Sequence, residues 1–154
     1  TGVLTCALPI SIELLGLTFS GDEEVCCICE NDACGVDAIQ VMLGCSAGKG
    51  NLMFHLTGKQ AFSFYERASG KSVRLVLKPR PEGMTRAESF AYYQSHEPKE
   101  LFDVKPVRLP LPEGARMFSN CVCAECGEEF ADIRRCSCGS LCRRWASCRR
   151  AACR

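Results

Sequence analysis

The strongest chemical motif in the sequence is a pair of cysteines separated by two residues and followed by a glycine, Cys123-Ala-Glu-Cys126-Gly127. Two thiolates at this spacing can bind one metal ion from a tight turn, and the glycine allows the backbone to turn back. Further cysteines follow this pair: Cys136, Cys138, Cys142, Cys148 and Cys153. Since four thiolates favour a closed tetrahedral site for zinc, we predict a structural zinc site. The alternatives are a redox-active thiol pair and cysteines that are merely free thiols. Cys123 and Cys126 are the first two predicted ligands, and the later cysteines can supply a second pair.

A second group of candidate residues lies in the segments ENDACGVDAIQ (residues 30–40) and GCSAGKGN (residues 44–51). Cys34 is predicted near a helix N-terminus, where unpaired N–H groups and the helix dipole favour a thiolate. Asp37 is its candidate polar partner in catalysis. The Gly-rich loop with Lys49 offers an anion cradle, although its glycine spacing differs from that of a Walker A loop. A purely structural explanation fits equally well, with Cys34 as a small buried hydrophobe and the glycines as a turn.

Charge is distributed unevenly along the chain. The net charge is only +1, but residues 134–154 contain seven arginines and no acidic residue, which leaves a mildly acidic body. A basic tail of this kind suggests binding to nucleic acid as a further alternative. Aromatic residues that would stack on bases are limited to Trp145 in this tail, so we regard nucleic acid as the least favoured partner.

The 14 cysteines of the chain help to define its compartment. Eight of them follow residue 120, whereas a secreted disulfide scaffold spreads its cysteines through a loop-rich chain. The apolar start, residues 1–17, contains no basic n-region and no cleavage site of small residues, and Glu13 interrupts it, so we interpret it as an amphipathic helix and not as a signal peptide. No apolar run reaches the roughly 18 residues of a membrane helix. These features predict a cytoplasmic protein with reduced cysteines.

The elements that must position these residues follow from periodicity and turn signals. We predict a helix over residues 10–17, a buried strand over 25–30 and a helix that Asn31 or Asp32 caps and Gly44 ends. We then predict strands over residues 52–56, 60–67 and 72–78, the last two forming a hairpin with one buried face, and helices over residues 85–95 and from Pro98. Residues 104–111 are predicted to be an extended edge strand or linker, and the domain boundary lies near residue 118. The domains are therefore residues 1–117 and 118–154.

Three segments, ENDACGVDAIQ, GCSAGKGN and GKQAFSFYERASGKSVRL, resemble in this order the core of the E-subunit family of formylmethanofuran dehydrogenase. The resemblance covers about residues 12–80 and again the CAECGE start of the finger. It implies an α+β core with a mixed sheet and packed helices, often dimeric, and in some members a C-terminal treble-clef zinc finger. It also implies a core cleft formed by Asp32, Cys34, Asp37, Gln40, Cys45 and Lys49.

The sequence departs from the family pattern in two places. The family opens with His-Gly-His-x-Cys-Pro-Gly, which has no match here, so Cys6 is either its remnant or the motif precedes Gly2. The last knuckle of the family finger is Leu-Cys-x-x-Cys, whereas this chain has Trp145 three residues after Cys142. A metal ion would have to recruit Cys138, Cys136 or Cys148 instead. We take Cys138 as the fourth zinc ligand, beside Cys123, Cys126 and Cys142.

The first functional hypothesis is a metal-binding accessory protein, because the first named member of the family accompanies a molybdenum or tungsten formylmethanofuran dehydrogenase. The resemblance thus implies a redox enzyme complex or related one-carbon metabolism as the setting, and a homodimer as the assembly. The alternatives are a stand-alone metal- or thiol-dependent enzyme that uses Cys34 and Asp37, and a zinc-finger regulator that binds nucleic acid through its arginines.

Overall fold

The computed structural model describes residues 7–115, 117–123 and 126–131, and the chain divides into two compact units, residues 1–115 and 116–154. The helices and strands of the first unit are α1 Ala7–Leu15, β1 Val25–Cys29, α2 Val36–Leu43, β2 Leu52–Phe54, β3 Ala61–Glu66, β4 Ser72–Leu77, α3 Arg86–Ser95, α4 Pro98–Leu101 and β5 Phe102–Lys105. The described part of the second unit contains a short hairpin of β6 Asn120–Val122 and β7 Glu129–Ala131.

A five-stranded sheet with the order β2-β1-β3-β4-β5 organises the first unit. β1 is parallel to β2 and antiparallel to β3, and β4 is antiparallel to both β3 and β5. The sheet is therefore mixed and carries packed helices, which confirms the predicted α+β fold. The register places Cys29 opposite Phe62 and Ala61 opposite Val76. Consequently the end of β1, the start of β3 and the end of β4 meet at one edge of the sheet.

The central strands β1 and β3 are buried on both faces of the sheet. All four helices contribute to the larger cluster on one face, where Phe62, Phe64 and Leu75 are among the most buried side chains. On the other face Cys26, Ile28 and Tyr65 form a smaller cluster, against which Val107 and Leu109 pack. The sequence predicted one buried face for the β3–β4 hairpin, and the structure adds a second buried face at β3.

The segment of residues 106–112 covers this second face of the sheet. The Tyr65 hydroxyl donates a hydrogen bond to the Leu109 carbonyl at 2.8 Å, and the Arg67 guanidinium donates to the Pro112 carbonyl at 2.8 Å. Its three prolines have no N–H to pair, so the segment is held by side chains of the sheet that donate to its carbonyl groups. The sequence prediction of an edge strand or linker is correct only for its beginning, where β5 ends at Lys105.

Local signals at the helix ends were mostly correct. Thr85 and Glu88 form the predicted capping box of α3, and Pro98 lies at the start of α4. Gly44 ends α2 in the left-handed conformation (φ 68°), and a Cβ there would lie 2.5 Å from the Ser20 carbonyl oxygen. The predicted cap of α2 was wrong, because Gly35 occupies that position and no side chain caps the helix. Within the described ranges, no helix is long and apolar enough to cross a membrane.

Candidate functional site

A groove lies at the edge of the sheet where β1, β3 and β4 meet. It has a volume of about 640 Å³ and is lined by residues 33–35 after β1, 59–60 before β3, 76–80 at the end of β4, and Tyr93 of α3. The Leu77 N–H donates to the Gln60 carbonyl at 2.9 Å, which joins two of these segments. The sheet topology alone therefore brings together residues that are far apart in the sequence.

Asn31 connects the segment that carries Cys34 to the segment that carries Lys59. Its side-chain N–H₂ donates to the Lys59 carbonyl at 2.9 Å, and its side-chain oxygen accepts from the Ala33 N–H at 3.1 Å. The residue is buried, so both bonds are shielded from water. Asn31 thus positions the groove and does not cap α2.

Cys34 lies in the turn that precedes α2 and is exposed at the groove. The turn is closed by hydrogen bonds from the Val36 N–H to the Ala33 carbonyl and from the Asp37 N–H to the Cys34 carbonyl. Cys34 is therefore accessible to a ligand, and the explanation as a buried hydrophobe does not hold. In the part of the chain that the structure describes, no hydrogen bond joins the Cys34 thiol to Asp37.

The groove is positively charged. The described residues of its lining include Lys59, Lys78 and Arg80 and no aspartate or glutamate. The Lys78 ammonium donates to the Glu100 carbonyl at 2.8 Å, and the Arg80 guanidinium donates to the Ser89 hydroxyl at 2.8 Å. These neutral partners hold the side chains without cancelling their charge. Among the described residues, none of the three cations forms an ion pair.

Lys59 also lines a smaller cavity of about 70 Å³ that contains the carboxylate of Glu30. The Arg74 guanidinium donates to this carboxylate, and the Thr57 hydroxyl donates to it at 2.9 Å. Arg74 is the main reason why the pKa of Glu30 is lowered, and the charge of Lys59 contributes least. The ion-pair partner of Glu30 is therefore Arg74, and among the described residues Lys59 forms no ion pair with it.

The other residues of the predicted cleft lie outside this groove. Asp32, Asp37 and Gln40 are exposed on the turn and on α2, and they do not contribute to the lining. Cys45 and Lys49 lie beyond the opposite end of β1. The Cys45 thiol donates to the Val25 carbonyl at 3.6 Å, and the Lys49 ammonium donates to the Ser20 carbonyl at 2.9 Å. The structure therefore places only Cys34 of the six at the groove.

Burial separates Cys34 from the other cysteines of the described core. Cys26, Cys27, Cys29 and Cys45 are all buried, whereas Cys34 is exposed. Burial raises the pKa of Cys26 to about 11 and that of Cys45 to about 12, and it raises the pKa of Cys27 well above its ordinary value. Thiolate chemistry is therefore disfavoured at these three buried positions.

Sequence reasoning missed the basic residues and Tyr93 that complete the groove. A usable signal was present, because Lys59 directly precedes one predicted strand, Lys78 ends another, and Arg80 lies two residues further on. Ligand sites of open sheets often lie beyond strand ends. The signal becomes specific only when the order of the strands is known.

The predicted zinc ligands Cys123 and Cys126 lie in the turn of the second unit. The Cys123 N–H donates to the Glu128 carbonyl at 2.9 Å, and the Gly127 N–H donates to the Cys123 carbonyl at 3.0 Å. Gly127 has a φ of 75°, which favours glycine. This tight turn fits the first half of a zinc site, whereas Cys138 and Cys142 lie outside the described residues. Within the described ranges, no group of three or more potential ligands is close enough to hold a metal ion.

Comparisons with known proteins agree with this fold. The family model described as "FmdE, Molybdenum formylmethanofuran dehydrogenase operon" matches residues 6–106. A "Probable S-adenosyl-L-methionine-binding protein" of Archaeoglobus fulgidus is 32% identical over 103 residues, 64% of this chain; the chain spans only 26% of that protein's length. A crystal structure of a tungsten formylmethanofuran dehydrogenase FmdE-like protein from Syntrophus aciditrophicus matches with a TM-score of 0.62 and 21% identity, covering 99% of this chain and 83% of that chain. At this identity the likeness establishes a shared fold.

Proposed function

Because the chain belongs to the FmdE family, we propose that it is an accessory protein of the formylmethanofuran dehydrogenase type whose core groove binds a small anionic ligand. The observation that most supports the groove as a binding site is its positive charge, since the described residues of its lining include three cations and no carboxylate. Positive side chains on the walls of a concave site attract and concentrate anions. In this proposal, Lys59, Lys78 and Arg80 bind the ligand and Cys34 lies beside it.

The three cations offer complementary modes of recognition. The planar guanidinium of Arg80 can bind a carboxylate or phosphate with two parallel hydrogen bonds. It uses one donor on Ser89, which leaves others for a ligand. Lys59 and Lys78 act as point charges. The enzyme hypothesis needs a base beside the thiol, and the absence of a described hydrogen bond between Cys34 and Asp37 gives it less support.

The name of the Archaeoglobus relative suggests S-adenosyl-L-methionine as a second candidate ligand. That molecule carries a sulfonium and an ammonium group besides its carboxylate. Its net positive charge opposes the charge of Lys59, Lys78 and Arg80. We therefore expect weaker binding than for an anion of the same size, which a titration of both at equal ionic strength will show.

We propose that the second unit binds a structural zinc ion through Cys123 and Cys126, together with Cys138 and Cys142. The support is the turn in which Cys123 accepts from the Gly127 N–H, because such a turn presents two thiolates to one metal. When bound, zinc cross-links the turn to the later cysteines and stabilises this small unit. The nucleic-acid hypothesis concerns arginines that lie outside the described residues.

The accessory role also implies partners. We propose that the chain forms a homodimer and associates with a molybdenum or tungsten formylmethanofuran dehydrogenase. Affinity purification of the tagged chain from its native cells, followed by mass spectrometry and light scattering, tests both. Recovery of the chain without such an enzyme, under conditions in which the enzyme is made, would argue against the complex.

The anion site is tested by alkylating Cys34 with iodoacetate, an anion, and with iodoacetamide, its neutral analogue. The ratio of the two rates cancels the intrinsic reactivity of the thiol. Relative to the unfolded chain, we expect this ratio to rise about tenfold at low salt and to fall as salt is added. Replacing Lys78→Gln together with Arg80→Gln should remove most of the increase.

The matched control is Lys71→Gln, because Lys71 is exposed in the turn between β3 and β4 and does not line the groove. It should leave the ratio unchanged. An equal ratio in the folded and unfolded chains would contradict the anion site, whatever the identity of the ligand.

A further inference from the structure

The size of the groove narrows the class of ligand. A volume of about 640 Å³ is within the range of roughly 300–1,000 Å³ of sites that enclose drug-sized molecules. At about 30 Å³ per water molecule of the liquid, it exceeds the space of an inorganic phosphate several times over. An inorganic anion would contact one part of this groove and leave most of it to water.

The lining also combines two kinds of surface. Besides the three cations, the end of β4 and the residue after Lys78 contribute the apolar side chains of Val76, Leu77 and Pro79. Tyr93 adds an aromatic ring, which is half-buried and packs against the core. Its ring meets that of Tyr92 edge to face, with 5.6 Å between the centroids. The aromatic surface is thus held in place by the core.

The charged surface is also held in position before any ligand binds. The Ser89 hydroxyl accepts from Arg80 at 2.8 Å and donates to the Thr85 carbonyl at 2.8 Å, and Ser89 is buried in α3. Lys78 is held by the Glu100 carbonyl at 2.8 Å. Pre-positioned donors lose less conformational entropy when they bind. The groove therefore offers a fixed cationic part next to a fixed apolar and aromatic part.

From this pairing we infer that the ligand is an organic anion of nucleotide size, whose phosphate or carboxylate binds Arg80 and Lys78 and whose flat apolar or aromatic body rests against Tyr93 and Pro79. This inference rests on the proposed anion site and specifies its ligand class. Cys34 lies on the same lining, so an occupant of this size covers its thiol. Occupancy can therefore be measured as protection of Cys34 from alkylation.

The experiment compares three probes for their ability to slow the alkylation of Cys34 by iodoacetamide in the full chain. ADP carries both an anion and an aromatic body, inorganic phosphate carries the anion alone, and adenosine carries the body alone. We expect ADP to give half-protection at a concentration at least tenfold lower than either of the others, a difference of about 1.4 kcal/mol. The double variant Lys78→Gln with Arg80→Gln should lose this advantage, whereas Lys71→Gln should keep it.

The possible outcomes separate this inference from the proposed function. If phosphate or adenosine protects Cys34 as well as ADP does, the inference is wrong. A raised ratio of iodoacetate to iodoacetamide rates would still support an anion site. If no probe protects and the iodoacetate ratio is not raised, both are wrong. Thermal unfolding of each variant checks that it is folded, and Lys59→Gln provides a second variant should the double one unfold.

Discussion

A cysteine and a lysine lie near each of the two ends of strand β1, but their environments differ in burial and in hydrogen bonding. Beyond the end of the strand, Cys34 is exposed and Lys59 forms no ion pair within the described residues. Near the start of β1, the Cys45 thiol is buried and donates a hydrogen bond to the Val25 carbonyl, and the Lys49 ammonium donates one to the Ser20 carbonyl. The cysteine and lysine side chains are thus available to a ligand at the end of β1, whereas at its start they already form hydrogen bonds within the protein.

This comparison shows that residue type alone does not locate an anion site, because burial and hydrogen bonding also decide it. A Gly-rich loop with a lysine favours anion binding only when its donors are unsatisfied. Here Asn51, at the end of that loop, is fully buried and donates to the Asp22 and Val25 carbonyls. The loop is therefore a structural element whose hydrogen bonds hold the start of β1 in place.

The largest expected effect concerns the cysteines of the second unit, which add a third kind of cysteine environment to the comparison. We expect about one zinc ion per chain and its complete loss when Cys123 and Cys126 are both replaced by serine, since structural zinc contributes on the order of 10 kcal/mol. Metal analysis of the purified protein measures this. The variant Cys34→Ser is the control and should retain the zinc. Unchanged zinc in the double variant would show that the turn is not a metal site.

The next largest effect is the difference in thiol reactivity between the two ends of β1. Burial raises the pKa of Cys45 to about 12, so its thiolate at pH 7 is rarer than that of an ordinary cysteine by on the order of a thousandfold. Cys34 should therefore be alkylated far faster than Cys45 in the native protein, as read from peptide masses over time. In urea the two should react alike. Equal rates in the native state would mean that Cys45 is accessible and would remove the contrast.

A third prediction compares the two asparagines that support these regions. Asn51 has no exposed surface and makes three hydrogen bonds, two as donor and one as acceptor from the Ser46 N–H. Replacing it by alanine leaves buried backbone groups unpaired, so we expect the free energy of unfolding to fall by about 3 kcal/mol or more.

Asn31→Ala removes two bonds and should cost less, about 1–2 kcal/mol. It should, however, lower the iodoacetate ratio at Cys34, because the turn with Cys34 is no longer tied to Lys59. Asn51→Ala should leave that ratio unchanged as long as the protein is folded. Urea unfolding and the two alkylation rates measure these effects, and the reverse pattern would refute the assignment of the two ends.

The smallest expected effect is the acid sensitivity of the hydrogen bonds around Glu24, just before β1. Hydrogen bonds from the Ser20 hydroxyl (2.7 Å), above all, and from the Asp22 N–H lower the pKa of Glu24 to about 2. A carboxyl group whose pKa is lower in the folded state stabilises the fold above its ordinary pKa, and this contribution is lost as the pH falls through the folded value.

The difference in stability between the wild type and Glu24→Gln should therefore shrink between pH 4.5 and about 2. Ser20→Ala should move this loss to higher pH, because it removes the main stabilising bond. Carboxyl carbon NMR of Glu24 checks the titration directly. A midpoint near its ordinary value of 4.5 would contradict the assigned hydrogen bonds.

Much of the fold followed from local signals in the sequence. The burial of β1, the β3–β4 hairpin, the capping box of α3 and the proline at the start of α4 were all predicted correctly. Each of these depends on residues close together in the sequence, where periodicity and turn chemistry determine the outcome.

The groove was only partly predictable for the opposite reason. Lys78 and Arg80 line the same groove as Cys34 only because β3 lies between β1 and β4 in the sheet. No local pattern around Cys34 contains that order. Likewise, nothing in residues 106–112 signals that they cover a sheet face, because their fit depends on Tyr65 and Arg67, about 45 positions earlier.

That covering segment has a consequence for how the protein is made. The ribosome synthesises the chain from its N-terminus at roughly 5–20 residues per second, and residues 106–112 lie 40–46 positions after Glu66, the last residue of β3. For roughly 2–10 s at that rate, the strands β1 and β3 exist without their second cover. During this interval Cys26, Ile28 and Tyr65 face the surroundings of the nascent chain. We therefore expect this apolar face to be more exposed to thiol oxidation and to chaperone binding in the nascent chain than in the folded protein.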